Sequence, residues 1–161
     1  MKRPEEIFNY LEENFSDAGL EYQTGDVGEP WILAEASSLK MIMKMLRDDP
    51  ELSFDVLMCL SGAHYQKEEE LGVTYHLNST NIGHKLAVKV RVPIDHPHVP
   101  SVESIWKTAN WHEREAFDMV GVIFDEHPNH KRILCPDDWE GHPLRKDYVQ
   151  QEFYQEMPTG E

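Results

Sequence analysis

Two alternating runs near the middle of the chain constrain the fold most. "GVTYHLNS" sets Val73, Tyr75 and Leu77 against Thr74, His76 and Asn78, and "KLAVKVRVPI" sets Leu86, Val88, Val90 and Val92 against Lys85, Lys89 and Arg91. A period of two puts each apolar set on one face of a strand. The polar "NSTNIGH" between them makes an antiparallel hairpin, and a hairpin with one apolar face needs helices or a second sheet to cover it.

The rest of the chain supplies helices. Ile7, Leu11 and Phe15 follow Pro4 at four-residue steps, which predicts an amphipathic helix ending before Gly19. "GDVGEP" reads as a turn and "WILAEA", Trp31 to Ala36, as a short strand. Ser37 or Ser38 caps a second helix carrying Leu39, Ile42, Met43 and Leu46 on one stripe, and "DDP" ends it at Pro50. The apolar run from Phe54 to Leu60 predicts a strand buried on both faces. "DHPHVPS" interrupts the sheet. A helical pattern then runs through "ESIWKTANWHEREAFDMVG" to Gly121, followed by a strand candidate at Val122 to Phe124. The expected class is α+β: four or five strands in a mostly antiparallel or mixed sheet, with helices on one face. Residues 1–126 are expected to form the compact domain, and residues 127–161 an extended segment without regular structure of its own.

With 161 residues, 40% hydrophobic, the chain can bury one core. Its net charge of -15 argues against generic binding to nucleic acid or anionic membranes, which demand clustered Lys and Arg. Two cysteines, Cys59 and Cys135, suggest a reduced environment rather than a disulfide framework. No apolar run is long enough for a membrane span or a signal peptide, so membrane association is expected to come through a partner. Phosphate-loop, C-x-x-C and dinucleotide-binding patterns are absent from the sequence.

The chemistry-bearing residues concentrate late. Asn110 with Glu113 reads as a capping box, Arg114 lies between Glu113 and Glu115 and four residues before Asp118, and Trp111 and Phe117 are expected to anchor the helix. His127, His130, Cys135 and His142 could ligate a metal, but their spacing lacks the tight pairs of a zinc site, and they read as turn and surface histidines. Cys135 lacks an evident acid–base partner, so it reads as structural rather than nucleophilic. Between His127 and Tyr148 four bases (Lys131, Arg132, Arg145, Lys146) balance four acids (Asp137, Asp138, Glu140, Asp147), so the net charge lies elsewhere. Trp139, Leu144, Tyr148 and the stiffening Pro136 and Pro143 give this stretch the composition of an interface. On residues alone, a segment that folds back on its own domain is an equal alternative.

The stretch "WHEREAFDMVGVIFDEHPNHKRILCPDDWEGHPLRKDY" strongly resembles the signature of the 30 kDa subunit family, the C subunit of the proton-pumping NADH–quinone oxidoreductase, respiratory complex I. The matching positions are Trp111, Glu113, Arg114, Glu115, Phe117, Asp118, Met119, Gly121, Val122 and Phe124, then His127, Pro128, Arg132, Ile133 and Leu134. Asp137, Asp138, Trp139, Gly141, His142, Pro143, Leu144, Arg145, Lys146, Asp147 and Tyr148 complete the match. Three positions depart: Glu126 and His130 stand where the family often has Gly and Leu, and His64 precedes Tyr65 where an Asp is frequent.

The resemblance implies a stand-alone, non-catalytic subunit of the hydrophilic arm, peripheral on the cytoplasmic side of a bacterial inner membrane. It implies no catalytic, cofactor-binding or metal-binding residue in this chain: FMN, iron–sulfur clusters and quinone belong to other subunits. Subunits B, D and I are the expected neighbours. Glu113, Arg114, Glu115, Asp118 and Gly121 are expected to form a structural network. His127, Pro128, Arg132 and the run from Asp137 to Tyr148 are expected to grip partners. A hydrogenase or ferredoxin-using relative is the alternative assembly, and an independent zinc or thiol enzyme built on Cys135 is the remote one.

Overall fold

The computed structural model describes residues 1–24 and 28–159. The first half of the turn expected over "GDVGEP", residues 25–27, therefore lies outside the described residues. The elements run α1 (Pro4–Asn14), β1 (Glu21–Gln23), β2 (Trp31–Leu33), α2 (Ala36–Asp48), β3 (Val56–Tyr65), β4 (Glu70–Asn78), β5 (Lys85–Pro93), β6 (His98–Pro100), α3 (Ala109–Val120), β7 (Ile123–Asp125), β8 (Phe153–Tyr154) and β9 (Met157–Pro158).

The main sheet has the order β1-β2-β5-β4-β3, with β2 and β5 parallel and the other neighbours antiparallel. The predicted hairpin is its centre: Val73, Tyr75 and Leu77 face Val90, Val88 and Leu86 across the ladder, and all six are buried. The expected α+β architecture is therefore the observed one, with a mixed five-stranded sheet. Leu39, Ile42, Met43 and Leu46 of α2 and Ile7 and Leu11 of α1 are fully buried in the same core. Helix α3 packs closely on β3. A side-chain methyl at Gly62 would lie 3.2–3.3 Å from Val120 and Ala116.

Several local expectations are corrected. The strand at Trp31 ends at Leu33, and Ala36 already opens α2. Neither Ser37 nor Ser38 caps that helix. Glu35 holds the N-cap position, and the Ser38 hydroxyl donates instead to the Ala18 carbonyl at 2.9 Å, tying α2 to the α1–β1 connection. Strand β3 begins at Val56 rather than Phe54, and it is not buried on both faces: Met58, Cys59 and Ser61 are exposed, Cys59 and Ser61 opposite the polar His76 and Thr74 of β4. The "DHPHVPS" interruption contains β6, which pairs in parallel with β7. Helix α3 starts only at Ala109. The residues before it form turns, drawn inward by the Trp106 indole, which donates to the Phe54 carbonyl at 3.0 Å. Gly121 terminates α3 in the left-handed region, φ 94, as its sequence position predicted. A small hairpin, β8–β9, follows where no regular structure was expected.

Candidate partner-docking site

Helix α3 carries the residues that organise the chain end. Asp118, in its last turn, is fully buried. One carboxylate oxygen accepts the backbone N–H groups of Ile133, Leu134 and Cys135 at 3.0, 2.7 and 2.8 Å, and the other accepts from Arg132 Nη1 at 2.6 Å. Successive N–H groups curled round one anion form a nest. Burial pushes the Asp118 pKa up, but these donors outweigh it and hold it below the ordinary aspartate value.

Arg132 extends the network. Its Nη2 donates to the carbonyls of Trp139 (2.9 Å) and Gly141 (2.8 Å), and Nη1 also reaches the Asp118 carbonyl. One planar guanidinium thus fixes the helix end and two turns of the extension together. The His142 ring lies within hydrogen-bond distance of the Asp118 carbonyl through Nδ1 and covers Gly121, where an added methyl would stand 2.7 Å from the ring. The Leu144 N–H donates to the Met119 carbonyl, and the Lys146 N–H donates to His64 Nδ1 at 3.0 Å. The chain end therefore folds back over α3 and the end of β3, one of the two courses that the residues alone leave open.

The expected roles around α3 change accordingly. Asn110 and Glu113 form no capping box: Thr108 is the N-cap, without a side-chain bond. Glu113 is fully buried and accepts from the Ser101 hydroxyl (2.6 Å) and the Val102 N–H (2.7 Å), anchoring the segment before the helix. Burial raises its pKa to about 7, more than its hydrogen bonds lower it. Arg114 makes no ion pair with its neighbouring acids or with Asp118. It donates to the carbonyls of Lys131 and Arg132 at 3.0 and 2.8 Å, supporting the nest from behind. Glu115 is exposed. Trp111 does not anchor the helix, since it is 71% exposed.

Two of the three departures from the family pattern, His130 and His64, lie on this seam, and Glu126 faces α2. Glu126 adopts a left-handed backbone, φ 62, the conformation glycine takes without strain, and its carboxylate pairs with Lys40 of α2. His130 packs against Phe117, ring centres 4.2 Å apart, and its Nε2 accepts the Phe124 N–H at 3.0 Å. Burial lowers its pKa, which suits a neutral acceptor. His64 receives Lys146. Their spacing in sequence gave no sign of this convergence.

Of the three histidines read as turn and surface groups, His127 is buried and His130 and His142 are half-buried. His127 is buried, with Nε2 3.0 Å from the Asn110 carbonyl and Nδ1 accepting from the Asn129 N–H. Among the described residues no group of three or more His, Cys, Asp or Glu side chains is placed to hold a metal ion. Burial, reinforced by the Asp118 carboxylate, raises the Cys135 pKa, the opposite of an activated thiolate.

The outward side of the extension has a different character. Leu134, Leu144, Val149, Phe153 and Met157 are 59–86% exposed and form, with Trp111, most of the chain's large exposed hydrophobic side chains. Asp147 is held by Arg145 in a two-point pair at 2.9 and 2.7 Å, which lowers its pKa to about 2. Trp139 packs on Tyr154, whose hydroxyl donates to Asp138. The Trp139 indole nitrogen and the Tyr148 hydroxyl are buried with no hydrogen-bond partner among the described residues. Asp137, Gly141, Pro128 and Pro143 shape the turns between these groups. No helix is long and apolar enough to cross a membrane among the described residues.

Residues 32–154 match the family model described as "Respiratory-chain NADH dehydrogenase, 30 Kd subunit". The C subunit of the NADH-quinone oxidoreductase of Chlorobium phaeobacteroides is 45% identical over 91% of this chain and 89% of its own length. Those of Chloroherpeton thalassium (42%) and Streptomyces coelicolor (40%) match over 93% and 89% of this chain, which spans only about three fifths of their lengths, 62% and 59%. Among solved structures, a trypsin-resistant fragment of Nqo5 matches with a TM-score of 0.65 and 27% identity, covering 76% of this chain and 98% of the fragment. A chain of a membrane-bound sulfane sulfur reductase, an archaeal respiratory membrane complex, shares the fold with a TM-score of 0.73, 24% identity, and coverage of 90% and 85%. On the match of sequence, signature and fold, the chain belongs to the 30 kDa subunit family of the respiratory-chain NADH dehydrogenase.

Proposed function

We propose that this chain is a scaffold subunit of the hydrophilic arm of a proton-translocating NADH–quinone oxidoreductase, and that it catalyses no step itself. It holds neighbouring subunits in register while FMN, iron–sulfur clusters and quinone on those subunits carry electrons. Subunits B, D and I are the proposed neighbours, and the complex holds the chain peripherally on the cytoplasmic side of the inner membrane.

The observation that carries this reading is the two-sidedness of the extension. Its inner side is locked to α3 through Asp118 and Arg132, while its outer side displays Leu134, Leu144, Val149, Phe153 and Met157. Large apolar side chains left exposed on one firmly anchored segment are the composition of a protein interface. His127, Arg132 and His142 position this surface. Lys146, Leu144, Trp139 and the Asp137–Asp138 turn are its contact groups.

Affinity purification of the tagged chain from native membranes tests the proposal. Flavin-containing and iron–sulfur subunits should accompany it. Deleting the residues after Pro136 should leave a folded body and abolish that association. Recovery of an intact, NADH-oxidising complex containing the shortened chain would refute the docking role, and companions that bind nickel would move the chain to a hydrogenase-type assembly.

A further inference from the structure

The two edges of the main sheet are unlike. Strand β1 is three residues long and carries Glu21, an ordinary protected edge. Strand β3 is ten residues long, VLMCLSGAHY, with no Asp, Glu, Lys, Arg or Pro. Its backbone hydrogen bonds run only to β4 among the described residues. A bulge between Leu57 and Cys59 twists the first part, and from Cys59 to Tyr65 the register with β4 is unbroken. Natural sheets blunt such edges with charge, proline, shortness or a covering segment. Beyond its bulge, this edge has none of them. Among the described residues the extension makes no backbone hydrogen bond to this edge; it meets the buried His64 side chain instead.

Charge selects the occupant. The chain carries -15, so pairing two copies edge to edge brings two strongly anionic bodies together. The strand itself is neutral, and the exposed turn after it sets Glu68 and Glu69 against the single Lys67, so it stays acidic on balance. We propose that the edge from Cys59 to Tyr65 accepts an extended segment of a different polypeptide, uncharged where it pairs with the strand and bearing Lys or Arg where it passes the Glu68–Glu69 turn. Recognition is by strand addition: the main-chain ladder supplies affinity, and the terminal charge fixes direction. This surface rests on the fold alone and is independent of the assembly proposed above.

Hydrogen exchange on the full chain, alone and within the complex purified from native membranes, tests it. Amides of residues 59–65 should exchange roughly tenfold or more slowly in the complex, the factor expected from about one added hydrogen bond per protected amide. Unchanged exchange in the complex overturns the proposal. So does protection in the isolated chain that grows with its concentration, which would assign the edge to a second copy. A photo-crosslinker on the exposed Cys59 thiol, with Cys135→Ser removing the other thiol, should join this edge to one extended segment of another polypeptide. Reversing Glu68 and Glu69 to Lys should cut that yield several-fold, and an undiminished yield overturns the basic partner. Should the companions prove not to belong to complex I, the assembly reading fails while a protected edge still supports this one.

Discussion

Helix α3 has a buried carboxylate near each end, and the two behave oppositely. Glu113 and Asp118 are both fully buried. Glu113 receives two neutral donors, and burial wins, raising its pKa to about 7. Asp118 receives three backbone N–H groups and a guanidinium, and the donors win, holding its pKa below the ordinary value. Both are closed to solvent, but Glu113 lies deeper in the protein, and the charge state of each follows from its depth together with the number and charge of the donors aimed at it. The first site ties the body together and tolerates a proton. The second clamps the extension and requires the anion.

The contrast can be broken most forcefully at Asp118. Asp118→Ala leaves the Arg132 guanidinium and three N–H groups without their acceptor. Loss of about 3–5 kcal/mol is expected, as for other broken buried pairs, with early protease cleavage beyond residue 130. Denaturant unfolding checks the first and limited proteolysis the second. An extension as resistant as the wild type's would show that the nest is not what holds it.

Glu113 gives the next effect, with the opposite pH signature. Its folded pKa of about 7 lies above the unfolded value near 4.5. The folded state thus binds the extra proton between those values, and stability falls as pH rises through that window and levels off above it. The contribution lost is on the order of 3 kcal/mol. Glu113→Gln should remove that fall, so melting curves at pH 5 and pH 8 should converge relative to wild type. Asp118 runs the other way: its depressed pKa contributes stability that is present above the ordinary value of 3.8 and lost as pH falls through the folded value. Cleavage of the extension should therefore begin in that acidic range, before the body unfolds.

Smaller changes sharpen the picture. Gly121→Ala imposes a left-handed backbone, φ 94, on a side chain aimed at His142, and about 2 kcal/mol of destabilisation is expected by thermal unfolding. Glu126→Gly relieves a left-handed glutamate but removes the Lys40 pair, and a gain of up to about 1 kcal/mol should appear in the same assay. Leu144→Ser and Trp111→Ser should alter stability by no more than about 0.5 kcal/mol, while weakening recovery of companion subunits. Unimpaired recovery would remove these two side chains from the interface.

Much of the body was legible because its signals are local. The alternation in β4 and β5, the stripe of α2 and the C-terminal Gly121 each record a short-range geometry that the backbone has to satisfy. The capping box at Asn110 failed because tertiary packing overrode it: Trp106 and Glu113 bind groups outside the helix and delay its start. The doubly buried β3 failed because an apolar run cannot report whether a second layer exists. Arg114 seemed set between two acids by adjacency, yet successive helical positions point about 100° apart, and its guanidinium found carbonyls of the extension instead.

What the sequence determined by itself was the α+β class, the central hairpin, the helical stripes and, through its long signature, the family. Only the tertiary structure decided which way the chain end turns. Arg132 and Asp118 are fourteen residues apart and carry no sign in sequence of bonding to each other rather than to a partner. Folding the extension onto α3 turns Asp118, Arg132 and His142 inward, and so determines which side of Leu134, Leu144 and Phe153 faces out. The physical reason is that one buried carboxylate needs four donors at once, and only a chain curled back on itself places them within 3 Å.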